Sequence, residues 1–160
     1  MGNLQLTSSA FSHGDEIPRK YGYKDGNEAP PLAINGIPEG TKSLTLIMDD
    51  PDAMEAVGKV WVHWVVWNID QTEDRIDPGP TVCDCLEEIP GEDATEGMTD
   101  FGEVGYGGPA PPDKRHTYVF KLYALDSKLE LAAESTKADV EKAMEGHIIE
   151  QVTLTGTYAP

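Results

Sequence analysis

Alternation of apolar and polar residues along the chain predicts a protein built mainly from β-strands. The clearest segment runs from Ser43 to Met48, where a side-chain period of two places Leu44 and Leu46 on the same face. This pattern is typical of a strand with one buried and one exposed face. The strand is expected to end at Asp49-Asp50-Pro51, because proline cannot donate a hydrogen bond to a neighbouring strand.

Two further segments are rich in β-branched and aromatic residues, which favours strands in the interior of a sheet. The first runs from Val60 to Ile69, where strict alternation would place His63 on the same face as Val65. The second runs from His116 to Leu125 and is expected to carry His116 and Tyr118 on one face. Polar residues in the middle of such strands are candidates for function.

Weaker patterns predict shorter elements. Short strands are expected at Leu4 to Leu6 and at Leu32 to Ile34, and a final strand at Gln151 to Tyr158. One helix is expected to begin near Ser135 or Thr136, with Asp139 at the spacing of a capping box. Its apolar stripe, at helical spacing, consists of Val140, Ala143, Met144, His147 and Ile148.

Residues 70–104 show no periodicity and are rich in acidic and turn-forming residues. Loops longer than about 15 residues are usually functional or partly disordered. The stretch contains both cysteines, Cys83 and Cys85. A disulfide between them would close a strained loop, and Cys-x-Cys alone is a weak metal motif. Two free thiols in a reducing cytosol are therefore predicted.

Length and charge narrow the range of functions. A chain of 160 residues, 39% of them hydrophobic, predicts a single domain over residues 1–160. The net charge of −17 argues against a nucleic-acid partner and against docking on an anionic membrane.

The N-terminal segment lacks the features of a signal peptide, and no apolar run approaches the roughly 18 residues of a membrane span. We therefore expect a cytoplasmic protein without stable membrane insertion.

Four polar residues stand out on otherwise apolar elements. Asp50 and Asp52 lie on one turn, while His63 and His116 lie on two predicted strands. Tyr118 shares a face with His116. One interpretation is an internal network in which carboxylates satisfy buried imidazoles. A second is a metal site, since two Asp and two His suit zinc or non-haem iron, although the spacing is a weak metal signature. The sequence offers no nucleophile motif and no catalytic residue is predicted.

A third interpretation is an anion-binding pocket. Imidazole N–H groups, the Tyr118 hydroxyl and amides of the Gly107-Gly108 turn would converge on the anion. Asp50 and Asp52 would then orient the histidines and favour their charged form. Residues alone leave the network and the pocket open as alternatives.

Longer motifs add a resemblance. They are Asn27-Glu-Ala-Pro-Pro-Leu32, Asp49-Asp-Pro-Asp-Ala53, His63-Trp64, Gly105-Tyr-Gly-Gly-Pro-Ala-Pro-Pro112 and His116-Thr-Tyr-Val-Phe120. With these, the chain resembles the phosphatidylethanolamine-binding protein family, which includes Raf kinase inhibitor proteins, and most of all its bacterial and archaeal branch. The resemblance implies a mainly β fold, a β-sandwich in which a large antiparallel sheet packs on a smaller one, with one or two short helices.

The resemblance also implies a site for phosphate-like groups, including phospholipid headgroups. The residues at the matching positions are Asp50, Asp52, His63, Gly108, Pro109, His116 and Tyr118. The chain departs from the family pattern at Met54, at Ala110 and at Asp113-Lys114-Arg115. Met54 is expected to loosen the acidic turn, and Lys114 and Arg115 are expected to attract an anion.

These observations predict a non-enzymatic binding protein, without cofactor or metal, for phosphate or phosphorylated headgroups such as phosphoethanolamine. A regulatory role is one interpretation of such a protein. Affinity is expected to rise as the pH falls from about 8 to 6, because the histidines become charged. An alternative is a serine protease or kinase inhibitor acting through a surface loop, and a further alternative is a hydrolase using the Asp and His residues. Family likeness also suggests a homodimer.

Overall fold

The computed structural model describes residues 4–30, 32–69, 75–76, 95–112, 114–132 and 134–160. Cys83, Cys85 and Asp113, with most of the 70–104 stretch, lie outside these ranges. The strands are β1 (Gln5–Thr7), β2 (Leu32–Asn35), β3 (Ser43–Asp50), β4 (Trp61–Ile69), β5 (Arg75–Ile76), β6 (Thr95–Glu96), β7 (His116–Leu125) and β8 (Ile148–Tyr158). The helices are a 3₁₀ turn (Arg19–Tyr21), α1 (Ala53–Val57) and α2 (Lys137–Met144).

The described strands form two antiparallel sheets, as the resemblance to the family implies. The larger sheet has the order β6-β4-β3-β7-β8, and the smaller one has the order β1-β2-β5. In the part of the chain that is described, no helix is long and apolar enough to cross a membrane.

Strand β3 lies at the centre of the large sheet, between β4 and β7. Every residue from Ser43 to Asp50 is buried, so the expectation of a half-exposed strand is wrong. The strand also continues through Asp49 and Asp50, two residues beyond its predicted end. Both faces are covered because each belongs to a separate hydrophobic core, with Met48 in one and Ile47 in the other.

The first core lies on the face of the large sheet that carries Met48, Trp64 and Phe120, and it includes residues of the small sheet such as Leu6 and Ile34. The second core lies under helix α2. Its buried residues are Ile47, Val65, Trp67, Tyr123, Leu125, Leu129, Val140 and Met144. The predicted placement of His116 and Tyr118 on one face of β7 is confirmed by their alternating burial.

A bulge in β4 changes the expected direction of one functional side chain. Met48 pairs with Trp64 while the next residue, Asp49, pairs with Val62, so His63 is the extra residue of the bulge. A bulge interrupts the regular alternation of faces. The His63 ring therefore lies edge-on to Tyr118, with ring centroids 5.1 Å apart. The prediction that His63 shares a face with Val65 is wrong.

Helix α2 begins as predicted and ends earlier. The Thr136 side chain and Asp139 form the expected capping box. The helix stops at Met144, and Gly146 adopts a left-handed conformation with φ of 82°, which glycine accepts readily. His147 precedes β8, and Ile148 is its first residue and is exposed. The predicted apolar stripe is therefore confirmed only as far as Met144, and the final strand begins three residues earlier than expected.

We expect Phe120→Ala to destabilise the protein by about 3 to 5 kcal/mol, because Phe120 is fully buried in the first core and truncation leaves a cavity. The matched control is Ile149→Ala on the neighbouring strand, which is 40% exposed and should change stability by less than about 0.5 kcal/mol. Urea unfolding measures both. Equal losses would contradict this placement of the core.

Candidate ligand-binding site

Three strands bring the candidate residues together. Asp50 is the last residue of β3, His116 is the first residue of β7, and His63 lies in the bulge of β4. Because β3 pairs with both β4 and β7, their ends meet at one edge of the large sheet. Helix α1 follows immediately after Asp52 and closes one side of this edge.

Asp50 and His116 form a buried pair. The His116 Nδ1 donates to Asp50 Oδ2 at 2.6 Å. His116 is 0% exposed and Asp50 is 3% exposed. The other carboxylate oxygen, Asp50 Oδ1, accepts from the Asp52 amide at 2.9 Å. Burial raises the pKa of the Asp50 carboxyl, although His116 and the Asp52 amide act in the opposite direction. The pair therefore holds a carboxyl that gains a proton more easily than an exposed aspartate.

His63 is buried and neutral. Its Nδ1 donates to the Gly107 carbonyl at 2.7 Å. Burial lowers the pKa of His63 to about 4, and the carbonyls of Gly107 and Gly108 offset only part of that shift. The expectation that this histidine becomes charged between pH 8 and 6 is therefore wrong for the unliganded protein.

Tyr118 carries a buried hydroxyl without a partner. Its ring lies against the His63 ring and 6.3 Å from the ring centroid of His116. The hydroxyl is close to Asp50 and to the Ala110 amide, which both affect its pKa, but it makes no well-formed hydrogen bond. Burial, with the nearby Asp50 carboxylate, raises the pKa of Tyr118, so the hydroxyl remains a donor at any physiological pH.

The remaining predicted residues lie around Asp50, His63, His116 and Tyr118, but they do not make the contacts that the sequence predicts. The Asp52 carboxylate accepts from the Thr117 amide at 2.8 Å and contacts neither imidazole. The Gly108 amide donates to Asn27 Oδ1 at 2.7 Å, and the Gly107 amide donates to the His63 carbonyl at 2.8 Å. Both loop amides are therefore used within the protein and cannot also bind an anion.

A pocket of about 210 Å³ opens beside Asp50 and His63. It is lined by Asp50, Ala53, Ala56, Val57, Trp61, His63, Phe101, Ala110 and Pro112. His116 and Tyr118 lie behind this surface. The described residues that line the pocket include no lysine or arginine, so the site lacks a permanent positive charge.

Phe101 is the most important pocket residue that the sequence did not indicate. Its ring stacks on Tyr23 with centroids 4.2 Å apart. It also contacts Trp61 and His63 edge-on, at 5.7 and 5.2 Å. Phe101 belongs to the stretch without periodicity, and no local pattern distinguishes it. Its position depends on Asp100, which accepts from the Val62 amide at 2.7 Å.

Pro109 lies on the other side of the Gly-Pro loop, in a groove of about 310 Å³ with Arg19 and Lys24. This groove shares Ala110 and Pro112 with the pocket. Arg19 is already engaged, because its guanidinium contacts Asp25 at 3.1 Å.

The departures from the family pattern have limited effects. Met54 is exposed on α1, but the acidic turn before it is closed by the bond between Asp50 and the Asp52 amide. Lys114 pairs with Glu55 at 2.7 Å, and Arg115 lies 3.6 Å from Glu16. Both cations therefore have carboxylate neighbours at the surface. Over the described ranges, no group of three or more His, Cys, Asp or Glu side chains is arranged to hold a metal ion.

Comparison with known proteins identifies the family. The model of the phosphatidylethanolamine-binding protein family matches residues 7–159. The chain belongs to this family. A relative from Pyrococcus abyssi, a UPF0098 protein, is 41% identical over 153 residues, which are 94% of this chain and 83% of the relative.

Solved structures of the phosphatidylethanolamine-binding protein family have the same fold. A homologue from Chlamydia trachomatis is 39% identical, with a TM-score of 0.84, and the match covers 97% of this chain and 96% of the homologue. E. coli YbcL is 33% identical, with a TM-score of 0.85, and the match covers 98% of both chains. The predicted mainly β fold with two antiparallel sheets is thereby confirmed.

We expect the His63 ring to titrate with a midpoint of about 4 in an NMR pH titration. In the unfolded chain a histidine titrates near 6.5, so the unfolded state binds more protons between these values and stability falls as the pH is lowered from about 6.5 to 4. In His63→Gln, which keeps a donor for the Gly107 carbonyl, this loss of stability should be smaller. A midpoint near 6.5 in the folded protein would contradict the burial argument.

Proposed function

We propose that this member of the phosphatidylethanolamine-binding protein family is a non-enzymatic binding protein. Its ligand is a phosphorylated small molecule or headgroup such as phosphoethanolamine, held in the pocket beside Asp50 and His63. The family name supports this ligand class, and the geometry of the pocket supports the place and the manner of binding.

The unpartnered Tyr118 hydroxyl is the observation that carries the proposal. Buried polar atoms in folded proteins nearly always have a hydrogen-bond partner, and leaving a hydroxyl without one is costly. Tyr118 is fully buried and makes no well-formed hydrogen bond, although Asp50, at the base of the pocket, and the Ala110 amide lie close to its hydroxyl. A ligand oxygen would supply the missing acceptor.

The charge of the site constrains the ligand. An anion beside Asp50 is repelled if the carboxyl is ionised, and among the described residues that line the pocket there is no lysine or arginine to compensate. Binding of a phosphoryl group therefore requires a proton, which Asp50 or His63 takes up when the anion arrives. Phosphoethanolamine suits this environment, because its ammonium group reduces the net charge brought into the pocket.

The pocket volume sets an upper size for the bound group. A space of about 210 Å³ is smaller than the usual range of roughly 300–1,000 Å³ for drug-sized ligands. It therefore fits a headgroup and leaves any larger substituent outside.

The inhibitor alternative remains a prediction, since no described surface favours a protease or a kinase.

We expect Tyr118→Phe to weaken phosphoethanolamine binding about tenfold or more, the effect of losing a hydrogen bond to a charged group. Stability should be unchanged or slightly higher, because the lost hydroxyl makes no well-formed hydrogen bond in the unliganded protein. Tyr123→Phe makes the same chemical change in the second core and should leave binding unaltered. Calorimetry and thermal unfolding measure these effects, and unchanged affinity in Tyr118→Phe would reject the proposed contact.

We also expect binding of phosphoethanolamine to take up about one proton and to tighten as the pH falls, because a bound anion raises the pKa of Asp50 and of His63. Calorimetry in buffers of different ionisation enthalpy counts the protons. Ethanolamine sulfate, whose acid group stays ionised, separates protons taken up by the protein from those brought by the ligand. No proton uptake with either ligand would contradict the charge argument.

A further inference from the structure

Asn27 has an unusual backbone conformation at the edge of the site. Its φ is 52°, in the left-handed region that non-glycine residues rarely adopt, although asparagine tolerates it better than most. Its amide donates to the Gly22 carbonyl at 2.8 Å, which folds the segment after the 3₁₀ turn back on itself. Backbone strain of this kind is retained where the surrounding structure requires it.

The side chain of Asn27 spans the Gly-Pro loop. Its Oδ1 accepts from the Gly108 amide at 2.7 Å, and its Nδ2 donates to the Tyr106 carbonyl at 3.4 Å. One carboxamide thus contacts the residues on both sides of Gly107. The left-handed backbone directs the side chain toward the loop, which explains why the conformation is kept.

Gly107 makes the short hydrogen bond that orients His63, and the Gly108 carbonyl also lies near the ring. The Gly107 amide donates to the His63 carbonyl at 2.8 Å, and the Gly107 carbonyl accepts from His63 Nδ1 at 2.7 Å. A carbonyl can only accept, so the neutral ring must carry its proton on Nδ1. Nε2 is then the nitrogen that can take up a further proton.

We propose that Asn27 is a positioning residue that holds the Gly107 carbonyl in place and thereby fixes the Nδ1–H tautomer of His63. The consequence for ligand binding rests on the proposed function, because it assumes that His63 lies against the bound phosphoryl group. The tautomer itself is a property of the unliganded protein and can be tested separately.

Other contacts keep the loop folded when Asn27 is changed. The Tyr23 amide donates to the Pro109 carbonyl at 2.9 Å, and the Tyr106 hydroxyl donates to the Tyr21 carbonyl at 2.8 Å. A side chain at Gly108 would overlap the Tyr21 carbonyl, so the two segments are in close contact. Loss of the carboxamide should therefore release the Gly107 carbonyl locally without unfolding the segment.

The chain provides a matched control in Asn68. This residue also has a left-handed backbone, with φ of 60°. Its Oδ1 accepts from the Leu129 amide at 2.8 Å and its Nδ2 donates to the Leu129 carbonyl at 2.9 Å. Leu129 packs in the second core, away from the pocket. Asn68→Gly thus removes the same kind of bridge without touching the Gly-Pro loop.

The experiment measures the tautomer of His63 by ¹⁵N NMR at neutral pH in Asn27→Gly, Asn27→Asp and Asn68→Gly. Glycine keeps the left-handed backbone and removes the bridge. An imidazole without a fixed acceptor prefers Nε2–H, so the Nε2–H fraction should rise about threefold or more, as expected when a hydrogen bond of ordinary strength is lost. Asn27→Asp keeps the acceptor for Gly108 and should retain the wild-type tautomer. Asn68→Gly should retain it too.

Thermal unfolding establishes that each variant is folded. If Asn27→Gly does not fold, Asn27→Ser replaces it, because the serine side chain is too short to form the bridge. A wild-type tautomer ratio in the bridge-less variant would overturn the proposal, as would an equal change in Asn68→Gly. Phosphoethanolamine binding by the wild-type protein is measured in parallel. A tautomer shift without any wild-type binding would support the role of Asn27 and refute the proposed ligand.

Discussion

The buried hydrogen bond between Asp50 and His116 is the contact on which the site depends. A carboxylate taken out of water is costly unless a partner compensates it, and removing one member of a buried pair leaves the other uncompensated. The two residues stand at the ends of adjacent strands. Two positions further into these strands lie Met48 and Tyr118, which pack in the first core. The sheet therefore fixes the pair, and the pair fixes the polar base of the pocket.

The sequence predicted the parts of the site that follow from regular strands. Alternation along β7 correctly placed His116 and Tyr118 on one face, because the pairing of that part of the strand is regular. The same argument failed for His63. A bulge arises from how β4 pairs with β3 and leaves no mark in the periodicity of either strand. The family resemblance, which assigns His63 to the same site as Asp50, His116 and Tyr118, was the better guide to this position.

Other features could not be predicted because they depend on contacts distant in sequence. Phe101 reaches the pocket, and Asn27 reaches the Gly-Pro loop beside it, from segments without periodicity, and only the folded chain shows what they touch. The predicted helix is too long, since His147 and Ile148 continue its apolar spacing, whereas the chain leaves the helix at Glu145, whose ψ is 129°, and turns at Gly146. The neutral state of His63 follows from burial, which a motif does not report. The hydrogen bonds that the Gly107 and Gly108 amides make within the protein likewise depend on distant residues, His63 and Asn27, and follow from no local pattern.

The most direct test of the account is a crystal structure of the protein with phosphoethanolamine bound. The account predicts phosphoryl oxygens within hydrogen-bond distance of the Tyr118 hydroxyl and of His63, with the ammonium group directed toward the pocket opening. A ligand bound through its ammonium group at Asp50, or bound only in the groove beside Lys24, would contradict it.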